Sequence, residues 1–97
     1  MNTVTTAYGL AEWREGQAGT AELYNLVATP RGQGHGATLL NEVIAEMKTA
    51  GVRVVYLFSE ADNVLAHKFY IWWGFEVACK LPGFYSHGDA FMFVRVL

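Results

Sequence analysis

Residues 52–58 read V-R-V-V-Y-L-F. A nearly continuous run of β-branched and aromatic residues is the pattern of a strand buried on both faces, and such a strand needs a parallel neighbour and covering helices. The residues before it offer both. Residues 20–28 are a strand candidate, with Glu22, Tyr24 and Leu26 on one face and Leu23, Asn25 and Val27 on the other. Pro30 closes that strand and biases Thr29 toward extended backbone. From Gly34 onward Leu39, Leu40, Val43, Ile44 and Met47 fall on one helical stripe, opposite Asn41, Glu42, Glu46 and Lys48. Gly51 is the expected helix stop. Strand, helix and strand within about forty residues make a βαβ unit with a right-handed crossover.

The flanking segments extend this unit. Residues 4–13 form a strand candidate broken by Gly9, residues 14–19 a polar turn, and the strands on either side an antiparallel hairpin. Asp62 or Asn63 caps a second helix, which runs to about Trp73 and stops at Gly74. Residues 75–81 and 90–97 are the last strands, with turn signals at Pro82-Gly83 and Gly88-Asp89. The expected order is β-β-α-β-α-β-β: an α/β (α+β) fold with a mixed sheet, in one domain spanning residues 1–97. A length of 97 residues suits one domain.

Composition narrows the function classes. Hydrophobic residues make up 53% and aromatics 14%, which is globular and not disordered. A net charge of -2 argues against a general nucleic-acid binder or a binder of anionic membranes. Cys79 is the one cysteine, so no intrachain disulfide can form and a reducing compartment is expected. Cys79 itself reads as a buried small apolar residue. His35, His67 and His87 have no spacing that suggests a metal site. No apolar run reaches the roughly 18–20 residues needed to cross a bilayer. Residues 1–6 lack the charged start and apolar block of a signal peptide. The expectation is a cytoplasmic protein.

Gly32, Gly34 and Gly36 stand on alternate positions at the start of the first helix. Glycine there costs roughly 0.5–1 kcal/mol against alanine. A helix start offers unbonded N–H groups and a partial positive charge, and absent side chains let a phosphate oxygen reach those donors. Arg31 would add a fixed positive charge. Spacing alone leaves two readings open, a pyrophosphate cradle and a glycine-rich turn without a ligand. Other phosphate motifs fit less well. A P-loop needs a lysine after the glycines, and a Rossmann site needs its third glycine one residue later.

At Arg31-Gly-Gln-Gly34-His-Gly36 the sequence resembles the pyrophosphate motif Q/R-x-x-G-x-G/A of the GNAT superfamily, the acyl-CoA-dependent N-acyltransferases. Residues 23–30 (LYNLVATP) resemble the strand that leads into it. Residues 63–75 resemble a second element of that family, N-x-x-A-x-x-F/L-Y-x-x-x-G-F, through Asn63, Ala66, Phe69, Tyr70, Gly74 and Phe75. Two motifs in order are far more specific than either alone, and the resemblance covers nearly the whole chain.

The resemblance implies acetyl-CoA as co-substrate, without a metal, held where two adjacent parallel strands splay apart. Pantetheine would pair with backbone groups of Leu26 and Val27 like an added strand. Arg31, Gly32, Gln33, Gly34, His35, Gly36 and Ala37 would surround the pyrophosphate, mostly through main-chain N–H groups. Asn63, Ala66 and Phe69 would meet the cofactor from the second motif. Asn63 has a plain alternative as a helix cap, and one residue can do both. Tyr70 would protonate or hydrogen-bond the departing thiolate, since a phenol with a pKa of about 10 keeps its proton at neutral pH. Its alternative is a core aromatic beside Phe69 and Trp73. An acceptor amine must lose a proton before attack, and Glu22 and Glu60 are the candidate bases, each with an alternative as a solvated strand-end carboxylate.

Members of the family usually begin with a strand, two helices and another strand, whereas this sequence starts at the hairpin. The acyl-CoA half is therefore expected intact and the acceptor half incomplete. Residues 4–13 would be a bare edge, and covering it and the open face leads to an expected homodimer or higher oligomer. The leading function is transfer of an acetyl group from acetyl-CoA to a primary amine. The rival is a non-catalytic acyl-CoA-binding or partner module.

Overall fold

The computed structural model describes residues 2–30 and 32–97. Arg31, expected at the pyrophosphate, lies outside the described residues. The elements run β1 (Asn2–Thr6), β2 (Gly9–Glu15), β3 (Thr20–Ala28), α1 (His35–Thr49), β4 (Val54–Glu60), α2 (Val64–Trp72), β5 (Glu76–Tyr85) and β6 (Gly88–Val96). They form a six-stranded mixed sheet in the order β1-β2-β3-β4-β6-β5, in which only β3 and β4 pair in parallel. This is an α+β fold of order β-β-β-α-β-α-β-β, one strand more than expected.

The additional strand comes from residues 4–13, which are two strands and not one. The Thr6 hydroxyl accepts the Tyr8 N–H at 3.2 Å and reverses the chain. Gly9 then lets β2 approach β3: a Cβ there would sit 2.3 Å from the Val27 carbonyl oxygen. The exposed edge is consequently the short β1, and β2 is an interior strand that buries Ala11 and Trp13.

Helix α1 buries the stripe its sequence predicts: Leu39, Leu40, Val43, Ile44 and Met47. It ends at Gly51, whose φ of +87° lets the Val52 N–H return to the Met47 carbonyl at 2.9 Å. The stripe packs on Trp13, Leu23, Val55, Leu57, Phe75 and Phe93, and Phe69, Tyr70 and Trp73 close over the same core. Both helices therefore serve one face of the sheet.

Strand β4 does not match the pattern of burial on both faces. Val55, Leu57 and Ser59 are buried toward α1, while Tyr56 and Phe58 on the opposite face remain half-exposed. Their β6 neighbours Met92 and Val94 are half-exposed too, and Val96 is 78% exposed. No helix among the described residues lies across that face.

Two further expectations about strands change. In β3, Tyr24 and Asn25 both reach Glu12 of β2, through the Tyr24 hydroxyl at 3.4 Å and the Asn25 amide at 2.9 Å. Two consecutive side chains on one face mark a β-bulge, and the β2–β3 register shifts there. Beyond it Leu26 pairs with buried Ala11 and joins Leu23 on the core face, instead of following Glu22 and Tyr24. In β5, Pro82-Gly83 is not a turn. The strand continues to Tyr85, because an edge strand tolerates proline and a register shift between Leu81 and Tyr85 takes up the irregularity. Asp89 Oδ1 accepts the Gly83 N–H at 2.7 Å across the hairpin. Cys79, expected to be buried, is exposed on this same edge strand.

Candidate functional site

Strands β3 and β4 pair at only three positions, Thr20 with Val54, Ala21 with Val55 and Glu22 with Tyr56. Beyond that point β3 stays with β2, and β4 stays with β6. The sheet forks, and backbone groups in the second half of β3 face a gap instead of a strand.

A cavity of about 520 Å³ fills this region, lined by Leu26, Val27, Ala28, Thr29, Gly32, Gly36, Asn63, Leu65, Ala66, Phe69 and Tyr70. A second cavity of about 460 Å³ adjoins it, lined by Ala28, Pro30, Gly32, Gly34, His35, Gly36, Ala37, Phe69 and Trp73. The two share Ala28, Gly32, Gly36 and Phe69, so they form one trough from the fork to the start of α1. Apart from Arg31, nearly every residue the sequence nominates for cofactor contact lies along it. Gln33 is exposed and lines neither cavity.

At the far end of the trough Gly34 caps α1 with φ +77°, and no side chain caps the helix. Gly32 has the same φ, and a Cβ at either glycine would meet nothing within 4 Å. The left-handed backbone requires glycine here, and the space above it is free. The first helical bond is Thr38 N–H to the Gly34 carbonyl at 3.1 Å, so the N–H groups of His35, Gly36 and Ala37 precede the ladder. The His35 ring stacks on Tyr8 from the β1–β2 turn at 3.9 Å, nearly parallel at 9°. These donors and this open space fit a diphosphate.

The second motif enters from α2. Asn63 Oδ1 accepts the Ala66 N–H at 3.3 Å, which is the cap expected of it. His67 Nε2 lies 2.8 Å from the Glu60 carbonyl oxygen; a carbonyl only accepts, so Nε2 carries the proton. This bond ties α2 to the end of β4.

Tyr70 sits among Phe69, Phe75 and Phe93, with ring centroids 5.6, 5.6 and 5.8 Å away. Burial pushes its phenol above the ordinary value of 10, and the neighbouring Tyr85 pushes it the same way. Tyr85 is itself raised, by burial first and then by Glu60 and Glu22. Both phenols thus hold their protons at neutral pH and can donate them.

The two candidate bases lie at opposite ends of the fork. Glu22 stands at its vertex, with Oε1 engaged by both Nε and Nη2 of Arg14 at 2.9 Å. Glu60 ends β4, with Oε1 3.4 Å from His87 Nε2 at the β5–β6 tip. Tyr85 and His87 belong to no motif. The only cue to them is the strand pairing that sets Tyr85 opposite Gly88 across the turn, and strand pairing between residues of β5 and β6 is not visible while Pro82-Gly83 is taken for the turn.

No helix among the described residues is long and apolar enough to cross a membrane.

Comparison with known proteins agrees with this geometry. Residues 6–75, well over half of the chain, match the Acetyltransferase (GNAT) family. A mycothiol acetyltransferase from Brachybacterium faecium is 40% identical over 60 residues, which are 60% of this chain and 18% of that protein. Among solved structures, Ard1 from Thermoplasma volcanium superposes with a TM-score of 0.86 at 22% identity, covering 93% of this chain and 63% of that one. A GNAT family acetyltransferase from Elizabethkingia anophelis, solved with acetyl-CoA bound, gives 0.87 at 17% identity, covering 93% and 69%. The ribosomal-protein-S18-alanine N-acetyltransferase from Escherichia coli gives 0.80 at 27% identity, covering 92% and 61%. This chain thus spans less than a fifth of the mycothiol acetyltransferase and under two thirds of Ard1. With its forked parallel pair, its bare helix start and both motifs along one trough, the chain belongs to the GNAT family of acetyltransferases.

Proposed function

We propose that this chain transfers an acetyl group from acetyl-CoA to a primary amine. The observation that carries the reading is the fork. Two parallel strands separate after Glu22 and Tyr56, beside a helix start without a side-chain cap. Pantetheine would bond the free edge of β3 at Leu26 and Val27, with its diphosphate on the N–H groups from His35 to Ala37. Asn63, Ala66 and Phe69 would line the opposite wall. The thioester then lies near Tyr70, whose hydroxyl protonates the thiolate as it leaves. Much of the acceleration comes from holding thioester and amine together in a narrow trough. The lone exposed Cys79 supports a reducing, cytoplasmic setting. By their names the relatives serve different acceptors, so the reading stops at the amine class.

The half-exposed face around Tyr56, Phe58, Met92 and Val94 favours a second reading, a module that binds acyl-CoA without turning it over. The same face supports a homodimer that covers it, which light scattering at micromolar concentration tests. Two measurements separate enzyme from module. Acetyl-CoA at 100 times its dissociation constant should stabilise the fold by about 2.7 kcal/mol. Thiol release across a panel of primary amines should then exceed that of Tyr70→Phe. Stabilisation without release from any amine would leave the module reading; the absence of both would remove the acyl-CoA assignment.

A further inference from the structure

We propose that Trp73 is the platform on which the adenine ring of an acyl-CoA lies. The inference rests on the acyl-CoA reading and adds to it a residue that neither motif specifies, since residues 71–73 occupy open positions of the second one. What carries it is a wall of rings at the α1 end of the trough.

A thioester near Tyr70 and a diphosphate on the N–H groups of His35, Gly36 and Ala37 fix the direction in which the cofactor runs. Its adenosine end must then leave the helix start on the side away from the fork. The cavity there holds about 460 Å³. Pro30, Gly34, His35, Ala37 and Trp73 line it without lining the fork cavity, and the two cavities join at Ala28, Gly32, Gly36 and Phe69. A diphosphate needs donors and open space, which the glycines and the main chain supply. It has no use for aromatic rings. Yet His35 borders this cavity from α1, and Phe69 and Trp73 border it from α2. A flat π face beside a phosphate site suits a nucleobase, which stacks on aromatic side chains through its own π face.

The wall is fixed by its surroundings. A Cβ on Gly36 would sit 3.5 Å from the Phe69 ring, so the start of α1 and the rings of α2 approach within one side chain of each other. Phe69 and Trp73 are four residues apart on α2 and its cap, with ring centroids 6.4 Å apart and planes at 50°. Trp73 closes the helix: its N–H donates to the Phe69 and Tyr70 carbonyls, both at 3.1 Å. Gly74 follows at φ +90°, and the Phe75 N–H returns to the Tyr70 carbonyl at 2.9 Å, with the Phe75 ring buried in the core. Trp73 packs partly on that core and still lines the cavity. Trp72 is the contrast. It is next in sequence, is 83% exposed and lines neither cavity of the trough.

The test uses the full chain and three thioesters. Acetyl-CoA is the first; S-acetyl-dephospho-CoA keeps the base but lacks the 3′-phosphate; S-acetyl-4′-phosphopantetheine lacks the nucleotide. By calorimetry, Trp73→Leu should raise the Kd of the first two by about tenfold, within the range for a base stacked on an aromatic ring, and leave that of the third unchanged. Independently of the variant's folding, the indole N–H resonance of Trp73 in the native chain should shift at saturation with either nucleotide-bearing thioester and stay in place with S-acetyl-4′-phosphopantetheine. The resonance of Trp13, whose indole N–H is bonded to Glu46, should stay in place throughout. An equal loss for all three thioesters, or a Trp73 indole indifferent to the nucleotide, would overturn the platform alone. A loss confined to acetyl-CoA would put the 3′-phosphate at Trp73 in place of the base and overturn it as well. A native chain that binds none of the three would overturn it together with the acyl-CoA reading.

Discussion

Two regions of the molecule are built from different materials: the start of α1, at one end of the trough, and the β5–β6 tip, which lines a separate small cavity. At the α1 end the contacts come from the backbone: Gly32 and Gly34 at φ +77° and the N–H groups of His35, Gly36 and Ala37. At the β5–β6 tip they come from side chains: Tyr85, His87 and Glu60, set by strand register. A backbone site is specified by a few consecutive residues, and under the proposed function it would meet the diphosphate common to every CoA thioester. A side-chain site is assembled from distant strands and can change without disturbing the other end. Under the proposed function this contrast becomes a division: cofactor binding would be local, and acceptor chemistry would be assembled from distant strands.

Substitutions can break or sharpen this division. The largest effect is expected at Tyr70, which lines the trough at the fork: Tyr70→Phe should lower kcat by about 100-fold, as loss of a general acid does. Calorimetry should find acetyl-CoA binding unchanged, and a parallel loss of affinity would mean that the phenol serves the cofactor end instead. Gly34→Val comes next. It forces a side chain into the left-handed region at a cost of roughly 1–2 kcal/mol and covers the helix start. The Kd for acetyl-CoA should rise by about tenfold or more while kcat at saturation holds, which titration followed by steady-state kinetics would reveal.

Asp89→Ala should act at the other end only. It removes the acceptor for the Gly83 N–H and the partner of Lys80, a loss of about 1 kcal/mol. The KM for the amine should change while acetyl-CoA affinity stays the same; a shift in both would mean that the ends are mechanically coupled. The smallest effect is one of pH. Tyr70 and Tyr85 both have folded pKa values above the ordinary 10. Their contribution is complete below about pH 10 and is lost as pH rises through the raised values, because the unfolded chain releases those protons sooner. The melting temperature should fall in that alkaline range, and less steeply in Tyr70→Phe.

The same division explains what could be read from the amino acids. The α1 stripe, the Gly51 stop and the Asn63 cap depend on neighbours within a few residues, and each appears in the structure as its pattern implies. The turn at Thr6–Gly9 was hidden because its decisive contact, Gly9 against Val27, joins two strands. Strict alternation puts Leu26 with Glu22 and Tyr24, because it has no term for a bulge at Tyr24. Pro82-Gly83 resembles a turn in isolation, but within an edge strand it is only an irregularity, and the pairing of Tyr85 with Gly88 follows from a register that local residues do not reveal. The half-exposed partner face of β4 was misjudged for a related reason. Tyr56 and Phe58 show that a strand is apolar on both sides without showing what covers them.

The extra residue at Tyr24 stands two positions past the last β3–β4 pair. A bulged strand bends, so one inserted residue both returns Leu26 to the interior and steers β3 away from β4. Deleting Tyr24 would therefore do more than shorten a strand. Leu23 and Leu26 would then alternate regularly about Asn25 and both stay inside, while a straightened β3 would run on alongside β4, closing the slot that makes room for a guest strand. The width of the fork thus turns on one residue that the strand ladder leaves unpaired.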